Sequence, residues 1–553
     1  MTTFEPPGAG QWDLDRSHYE GGITRISDRV MGDGARNAYR TLFTEMGMPA
    51  DTMDIRSVNG FTYTRVRPLV SADRDTGRPP PAIVIKLLTR LHPEFRRRAK
   101  RAEATLEDSG FQQVVDEWRT IIKPRLIAEN LELQSVDLGA MSDTELADHL
   151  ERLVARLAAL YEEHHRLHGY DLGPIGQFVV ASRRWNLPAD DVLAALAGAS
   201  PSTTEPLSTL AEIREAIDAA GAKPTSLDQV RAVSPHAASL LDAYLERHGS
   251  VLYTSYDLDS PTLGERPEVI LSSILTARRP PDLADRAAGI ATGLRARVPA
   301  NERASFDDYL ADARAAMDMR DDNGPVTVEW PAGLLRLAML EAGQRLVASG
   351  CAKSADHIFE LDGDELPALV RSGVGPTPDE LERRANERAA QKLLDPPPTL
   401  GPLQPPPPLE ALPTAMATLV DLVNTIIAEL GMSAAMRTTD DDSTVLHGTG
   451  IGNAPFTGIA RTAANAEEAI DAMEPDEVLV TRTTSPAYNL VLSIAGGLVT
   501  AEGGPMCHAA VLSRELALPA MIGAASCLER IRTGDRIEVD PTAGTVRLLD
   551  RAD

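Results

Sequence analysis

Cysteine is nearly absent: Cys351, Cys507 and Cys527 are the only three in a chain of 553 residues. That is too few, and too scattered, for a disulfide framework or a cysteine zinc site, and it points to a reducing, cytoplasmic setting. Long apolar runs are missing as well. None reaches the ~18 residues that a membrane span needs. The opening Met1-Thr2-Thr3-Phe4-Glu5-Pro6-Pro7 has neither the basic region nor the apolar stretch of a secretory signal. No membrane association is expected. Basic residues are outnumbered, 55 Lys and Arg against 81 Asp and Glu, for a formal net charge of −26. Broad nucleic-acid binding needs clustered cations, so no nucleic acid is expected as a partner. Aromatics are only 4% of the chain, which leaves Leu, Ala, Val and Ile to build the cores. No Gly-x4-Gly-Lys-Ser/Thr loop occurs, so the chain alone is not expected to bind ATP tightly. Lys86 closes the run Ile83-Val84-Ile85-Lys86 without a glycine loop beside it, and reads as a strand-end charge.

Proline is abundant in one place. Residues 395–408 carry Pro396, Pro397, Pro398, Pro402 and Pro405 to Pro408. Such runs continue neither a helix nor a central strand, and they favour a semi-rigid extended spacer. The spacing predicts a mainly helical domain over 1–395, a proline-rich linker over 396–413, a connecting helix over 414–440 and a final domain over 441–553. In the first, Ser142 and Glu145 form a capping box that opens a helix running through Leu150, Leu153, Leu157 and Leu160. Further helices fit 207–220, 234–247, 282–296, 302–318 and 330–349. The Asn59-Gly60 turn and the β-branched run Ala82-Ile83-Val84-Ile85 predict a small β element. After the linker come an acidic loop at Thr439 to Asp442, strands near 477–481 and 498–500, and a late hairpin over 535–548.

The stretch that carries chemistry is Gly503-Gly504-Pro505-Met506-Cys507-His508-Ala509-Ala510, followed by an apolar helix through Arg514-Glu515-Leu516 to Pro519-Ala520. Glycine lets backbone turn tightly and approach a ligand. A helix start offers free N–H groups and the positive end of the dipole, which suit phosphate. An imidazole there, largely neutral at pH 7, keeps a lone pair and is placed to carry a phosphoryl group. A second histidine group, His164, His165 and His168, follows the Leu150–Leu160 stripe. His164 and His168 share a helix face. A metal would need a third ligand and outer hydrogen bonds, and the sequence shows neither. A solvated helix end and an acceptor pocket with a general-base histidine stay open.

The Gly503–Ala520 pattern resembles the phosphohistidine segment of the phosphoenolpyruvate-utilising enzymes, with Met506 where that family usually has threonine. Gly448-Thr449-Gly450, Gly458-Ile459-Ala460, Leu479-Val480-Thr481 with Pro486, and Gly534-Asp535 extend the resemblance over about 445–550. It implies a swivelling β/β/α domain in which His508 carries the phosphoryl group, supported by Gly503, Gly504 and Cys507. The region before the linker resembles the helical acceptor-binding domain of rifampicin phosphotransferases and phenylphosphate synthase-like proteins. The matching pieces are Tyr244 to Gly249, Tyr256 to Pro261, Met319-Arg320-Asp321 and Asp356 to Leu361. By this resemblance Arg320 is the phosphate-side residue, His248 joins His168 of the histidine group as an acceptor-pocket candidate, and Gly324 stands where rifampicin phosphotransferases have a lysine. Only 45 residues (553 − 508) follow His508, against roughly 200 or more for a phosphoenolpyruvate-binding barrel. No ATP-grasp motif is recognised either.

The expectation is therefore a multidomain α+β phosphotransferase component, kinase-type, one subunit of a two-component enzyme. An ATP-grasp partner subunit supplies ATP and Mg²⁺, and His508 passes the phosphoryl to a hydroxyl of a small organic acceptor, with a phenol as one candidate. The rivals are a non-catalytic phosphohistidine carrier or regulatory protein, an antibiotic phosphotransferase subunit, and transfer in the reverse direction.

Overall fold

Three strands from the N-terminal region and one from far along the chain form the first sheet: β1 (Trp12–Leu14), β2 (Ala50–Val58), β3 (Phe61–Pro68) and β4 (Thr399–Leu400), in the order β2-β3-β1-β4. All its pairings are antiparallel. Asn59 and Gly60 link β2 to β3 with φ of 51° and 81°, the left-handed pair that a two-residue hairpin turn requires. These features come from a computed structural model, which describes residues 3–15, 19, 21–70, 81–107, 110–279, 283–403, 408–429, 445–484, 488–505 and 507–552. The acidic loop Thr439 to Asp442, the linker residues 404–407, Pro486 and Met506 lie outside the described residues.

The proline segment begins inside the fold. Leu400 pairs with Trp12, the Leu14 N–H donates to the Pro398 carbonyl (3.0 Å), and the Tyr63 hydroxyl donates to the Pro397 carbonyl (2.8 Å). Prolines keep their carbonyls as acceptors although they lack donors, so a proline run can still edge a sheet. Trp12, Phe61, Tyr63 and Leu400 bury one another there.

The run Ala82-Ile83-Val84-Ile85, expected as strand, is instead the start of a helix, Ala82–Leu91, and Lys86 is an exposed residue of that helix. Ile85 and Thr89, four apart, are the buried face, so packing at helical spacing overrides β propensity. The capping box forms: the Ser142 N–H donates to Glu145 Oε2 (2.8 Å) and the Glu145 N–H to Ser142 Oγ (3.3 Å). The helix that it opens runs over Asp143–Arg184, 42 residues with Pro174 inside. The three histidines are therefore in mid-helix, and His164 and His165 are buried rather than solvated.

By contacts the chain forms two compact units, one of residues 1–171, 250–261 and 322–421, the other of 172–249, 262–321 and 422–553. The first unit centres on Ile26, Leu150, Leu157, Leu335, Met339 and Leu361. Tyr256 to Pro261 and Asp356 to Leu361 act as braces inside it. Asp257 accepts from the Thr24 N–H (2.8 Å) and hydroxyl, while Asp259 holds Arg388 and Lys392, and Arg388 also bonds Glu360 (2.8 Å).

The second unit contains an eight-stranded sheet: β5 (Val445–His447), β6 (Thr449–Ile451), β7 (Phe456–Ala463), β8 (Val478–Thr481), β9 (Gly497–Thr500), β10 (Ala520–Ile522), β11 (Arg536–Asp540) and β12 (Thr545–Asp550), ordered β5-β12-β11-β7-β8-β9-β10-β6. Strands β7 to β10 are parallel and the rest antiparallel. Side chains alternate between two buried clusters. Leu479 and Leu498 face the helices at 466–472, 489–494 and 508–515, and Val478, Val480 and Val499 face β11 and β12. The architecture is multidomain α+β. Among the described residues no helix is long and apolar enough to cross a membrane.

The Tyr63–Pro397 bond gives a direct check on the anchored proline segment. Tyr63→Phe removes one buried hydrogen bond and should lower unfolding free energy by about 1 kcal/mol, read from the urea midpoint of the full chain.

Candidate functional site

Two loops leave the C-terminal ends of neighbouring parallel strands, where open α/β sheets bind ligands. The loop after β8 carries Thr484 and leads to Asn489, the first residue of the helix Asn489–Ile494. The loop after β9 carries Gly503 and Gly504 and leads to the helix His508–Glu515. Gly503 has φ of 119°, and a Cβ on it would lie 2.8 Å from Cys507 Sγ, so this turn needs glycine. The Cys507 N–H donates to the Gly504 carbonyl (3.0 Å), and the Arg514 guanidinium reaches back to the Pro505 carbonyl. Burial pushes the Cys507 thiol above its ordinary pKa, so at neutral pH it packs as an uncharged group.

His508 opens its helix half-buried, with both ring nitrogens engaged. Nδ1 is 2.9 Å from Thr484 Oγ1 and Nε2 is 2.7 Å from Asn489 Oδ1. Its pKa is pushed down to about 3, first by burial and then by the Arg320 guanidinium. Arg320, in the helix Arg303–Gly324, is thus close enough to act on the imidazole, and both belong to the second unit. Its Nη1 donates to Asp321 Oδ1 (2.7 Å), and both side chains are largely buried. An imidazole that stays neutral beside a guanidinium keeps a lone pair. Thr484 and Asn489 were not singled out by sequence. Their only sequence signal is a polar loop directly after a strand.

The other histidines are distributed over both units. His168, in the first, has Nδ1 3.2 Å from Oδ2 of the buried Asp171. That contact fixes Nδ1 as the donor and leaves Nε2 as the basic nitrogen. His165 Nδ1 donates to the Tyr161 carbonyl (2.8 Å), and His164 Nδ1 meets Thr327 Oγ1 (3.1 Å). His248, in the second unit, closes the helix Pro235–His248 against the Tyr244 ring (centroids 4.9 Å apart), and burial followed by Arg247 pushes its pKa down to about 4. His168 and His248 therefore belong to different compact units. Sequence reading also passed over Glu329, the one acid in Val326-Thr327-Val328-Glu329-Trp330. It sits buried in the π-helical turn Pro325–Glu329, its pKa raised to about 8 by burial and by Asp322. Wide turns of this kind often mark functional positions.

Residues 473–544 match the family described as PEP-utilising enzyme, mobile domain. The chain is 26% identical over 536 residues to a chondramide synthase of Chondromyces crocatus, covering 90% of this chain and 13% of that protein. It is 27% identical over 328 residues to a rifampicin phosphotransferase of a Streptomyces species, covering 57% and 35%. A Bacillus subtilis protein described as an uncharacterised phosphotransferase is 25% identical over 252 residues, covering 45% and 28%. The chain thus spans about an eighth to about a third of the length of these relatives, and it resembles PEP-utilising phosphotransferases.

Since the unfolded chain takes up the His508 proton near 6.5 and the folded chain only near 3, acid favours unfolding, and this group's stabilising share is lost as pH falls through that window. Imidazole NMR signals of His508 should hold neutral values from pH 8 down to about 4. Gly503→Ala should lower the melting temperature, because its Cβ meets the Cys507 sulfur in a left-handed turn.

Proposed function

We propose, for a chain that carries the mobile domain of the PEP-utilising enzymes, that it is a phosphotransferase component in which His508 is the phosphoryl carrier. A separate ATP-grasp subunit, holding ATP and Mg²⁺, loads His508. The mobile domain then presents the group to a hydroxyl of a small organic acceptor held by the helical region, a phenol being the favoured class. Transfer breaks the N–P bond, forms an O–P bond and releases the hydroxyl proton. A general base of the helical region takes that proton, His168 and His248 being the candidates. The observation that carries the reading is the proximity of Arg320 to His508 across nearly two hundred residues of sequence. A guanidinium neutralises charge on the phosphoryl oxygens as the N–P bond lengthens.

The rival is a carrier that signals by contact and transfers to no small molecule. The two readings separate on label transfer. Potassium phosphoramidate, a small chemical donor, should place acid-labile phosphate on His508 of the wild type, and His508→Ala should take up none. Arg320→Ala should still load, yet pass the group to phenol at least ~100-fold more slowly, the equivalent of the ~2–4 kcal/mol that one well-placed donor supplies. Unchanged labelling in His508→Ala would exclude this carrier, and stable label on the wild type in the presence of hydroxyl acceptors would favour the contact-signalling protein.

A further inference from the structure

His508 is gripped on both sides, and the two partners differ in kind. Thr484 meets Nδ1 with a hydroxyl, which donates or accepts by a small rotation. Asn489 meets Nε2 with an amide, which offers oxygen on one side and nitrogen on the other. Nε2 lies at the outer edge of the ring, away from the crowded main chain, and is the nitrogen better placed to receive a phosphoryl group. Yet it is the nitrogen that Asn489 covers. A neutral imidazole holds one ring proton. With the amide oxygen at 2.7 Å, that proton sits on Nε2, and Nδ1 accepts from Thr484.

Asn489 is also a fixed group. It follows Tyr488, which is buried and whose hydroxyl meets Thr481 Oγ1 at 3.2 Å. Val491 and Leu492 of the same short helix lie in the buried cluster that faces the His508 helix. That short helix packs against the helix Pro267–Thr276. Two ion pairs accompany this docking, Arg266 to Asp471 (2.8 Å) and Arg278 to Asp476 (3.2 Å). The amide therefore stands on supported backbone, and its rotation about Cβ–Cγ is its remaining freedom.

We propose that Asn489 is a positioning residue that selects the tautomer of His508 and so controls when Nε2 can attack. With its oxygen toward the ring, Asn489 holds the Nε2–H tautomer, and the carrier rests. With its nitrogen toward the ring, it donates to a bare Nε2, the ring proton lies on Nδ1, and Nδ1–H donates to Thr484 Oγ1. Attack from that state forms the Nε2–P bond as the donor's bond to phosphorus breaks. The bonding electron pair leaves with the donor atom, the ring proton stays on Nδ1, and the amide nitrogen turns to a phosphoryl oxygen. This rests on His508 being the carrier, as proposed above.

Asn489→Asp keeps the accepting oxygen and removes the donor. Asn489→Ala removes both. ¹⁵N NMR of the histidine rings in the full chain reads the tautomer without any donor. Wild type should show Nε2–H, Asn489→Ala a mixture of tautomers, and Asn489→Asp an Nε2–H ring whose pKa rises by at least one unit. Loading by phosphoramidate should fall more than tenfold in Asn489→Asp, with melting temperature near that of wild type. A His508 tautomer and pKa unmoved in both variants would overturn the role of Asn489. Failure of wild-type His508 to accept phosphate would overturn the carrier instead, and the ring signals would still decide whether Asn489 sets the tautomer.

Discussion

A neutral imidazole keeps a lone pair, and the second unit surrounds His508 so that its pKa lies well below the ordinary value. Burial in the loop between β9 and its helix removes the water that would stabilise the cation, and the Arg320 guanidinium adds like-charge repulsion. The other parts of the site depend on that condition. Thr484 and Asn489 meet the two nitrogens of a ring that carries a single proton. The glycine turn and the Arg514–Pro505 contact fix where the ring stands. The parallel strands β8 and β9 end side by side and so deliver both loops to one place.

Fragments that look like site motifs divide into two physical kinds. Arg320 stands close enough to His508 for its guanidinium to oppose a charge on the ring. Asp257, Asp259 and Glu360 hold the chain together. Each carboxylate is largely buried and spends its acceptor capacity on Thr24, Arg388 or Lys392, residues far away in sequence. Buried charges are tolerated only when paired in this way.

The sequence made β8, β9 and the β11–β12 hairpin legible as strands, because they are apolar runs bounded by glycine and proline, and the Ser142–Glu145 box marks its helix start unambiguously. Side chains that act only through tertiary neighbours were not legible. Thr484 and Asn489 gain meaning from a ring 24 and 19 residues on, and Glu329 from being enclosed. The β-branched run at Ala82 misled because helical packing of Ile85 and Thr89 outweighs local preference. The histidine cluster read as a possible helix end, whereas the helix continues past it to Arg184.

Chain connectivity sets one further property. The helix Arg303–Gly324 and the sheet that positions His508 are parts of one polypeptide and one compact unit, so dilution of the protein does not separate Arg320 from the ring. On the two-component reading, only loading by a separate donor scales with how often two proteins meet, and the abundance of the donor, rather than that of this chain, sets the flux.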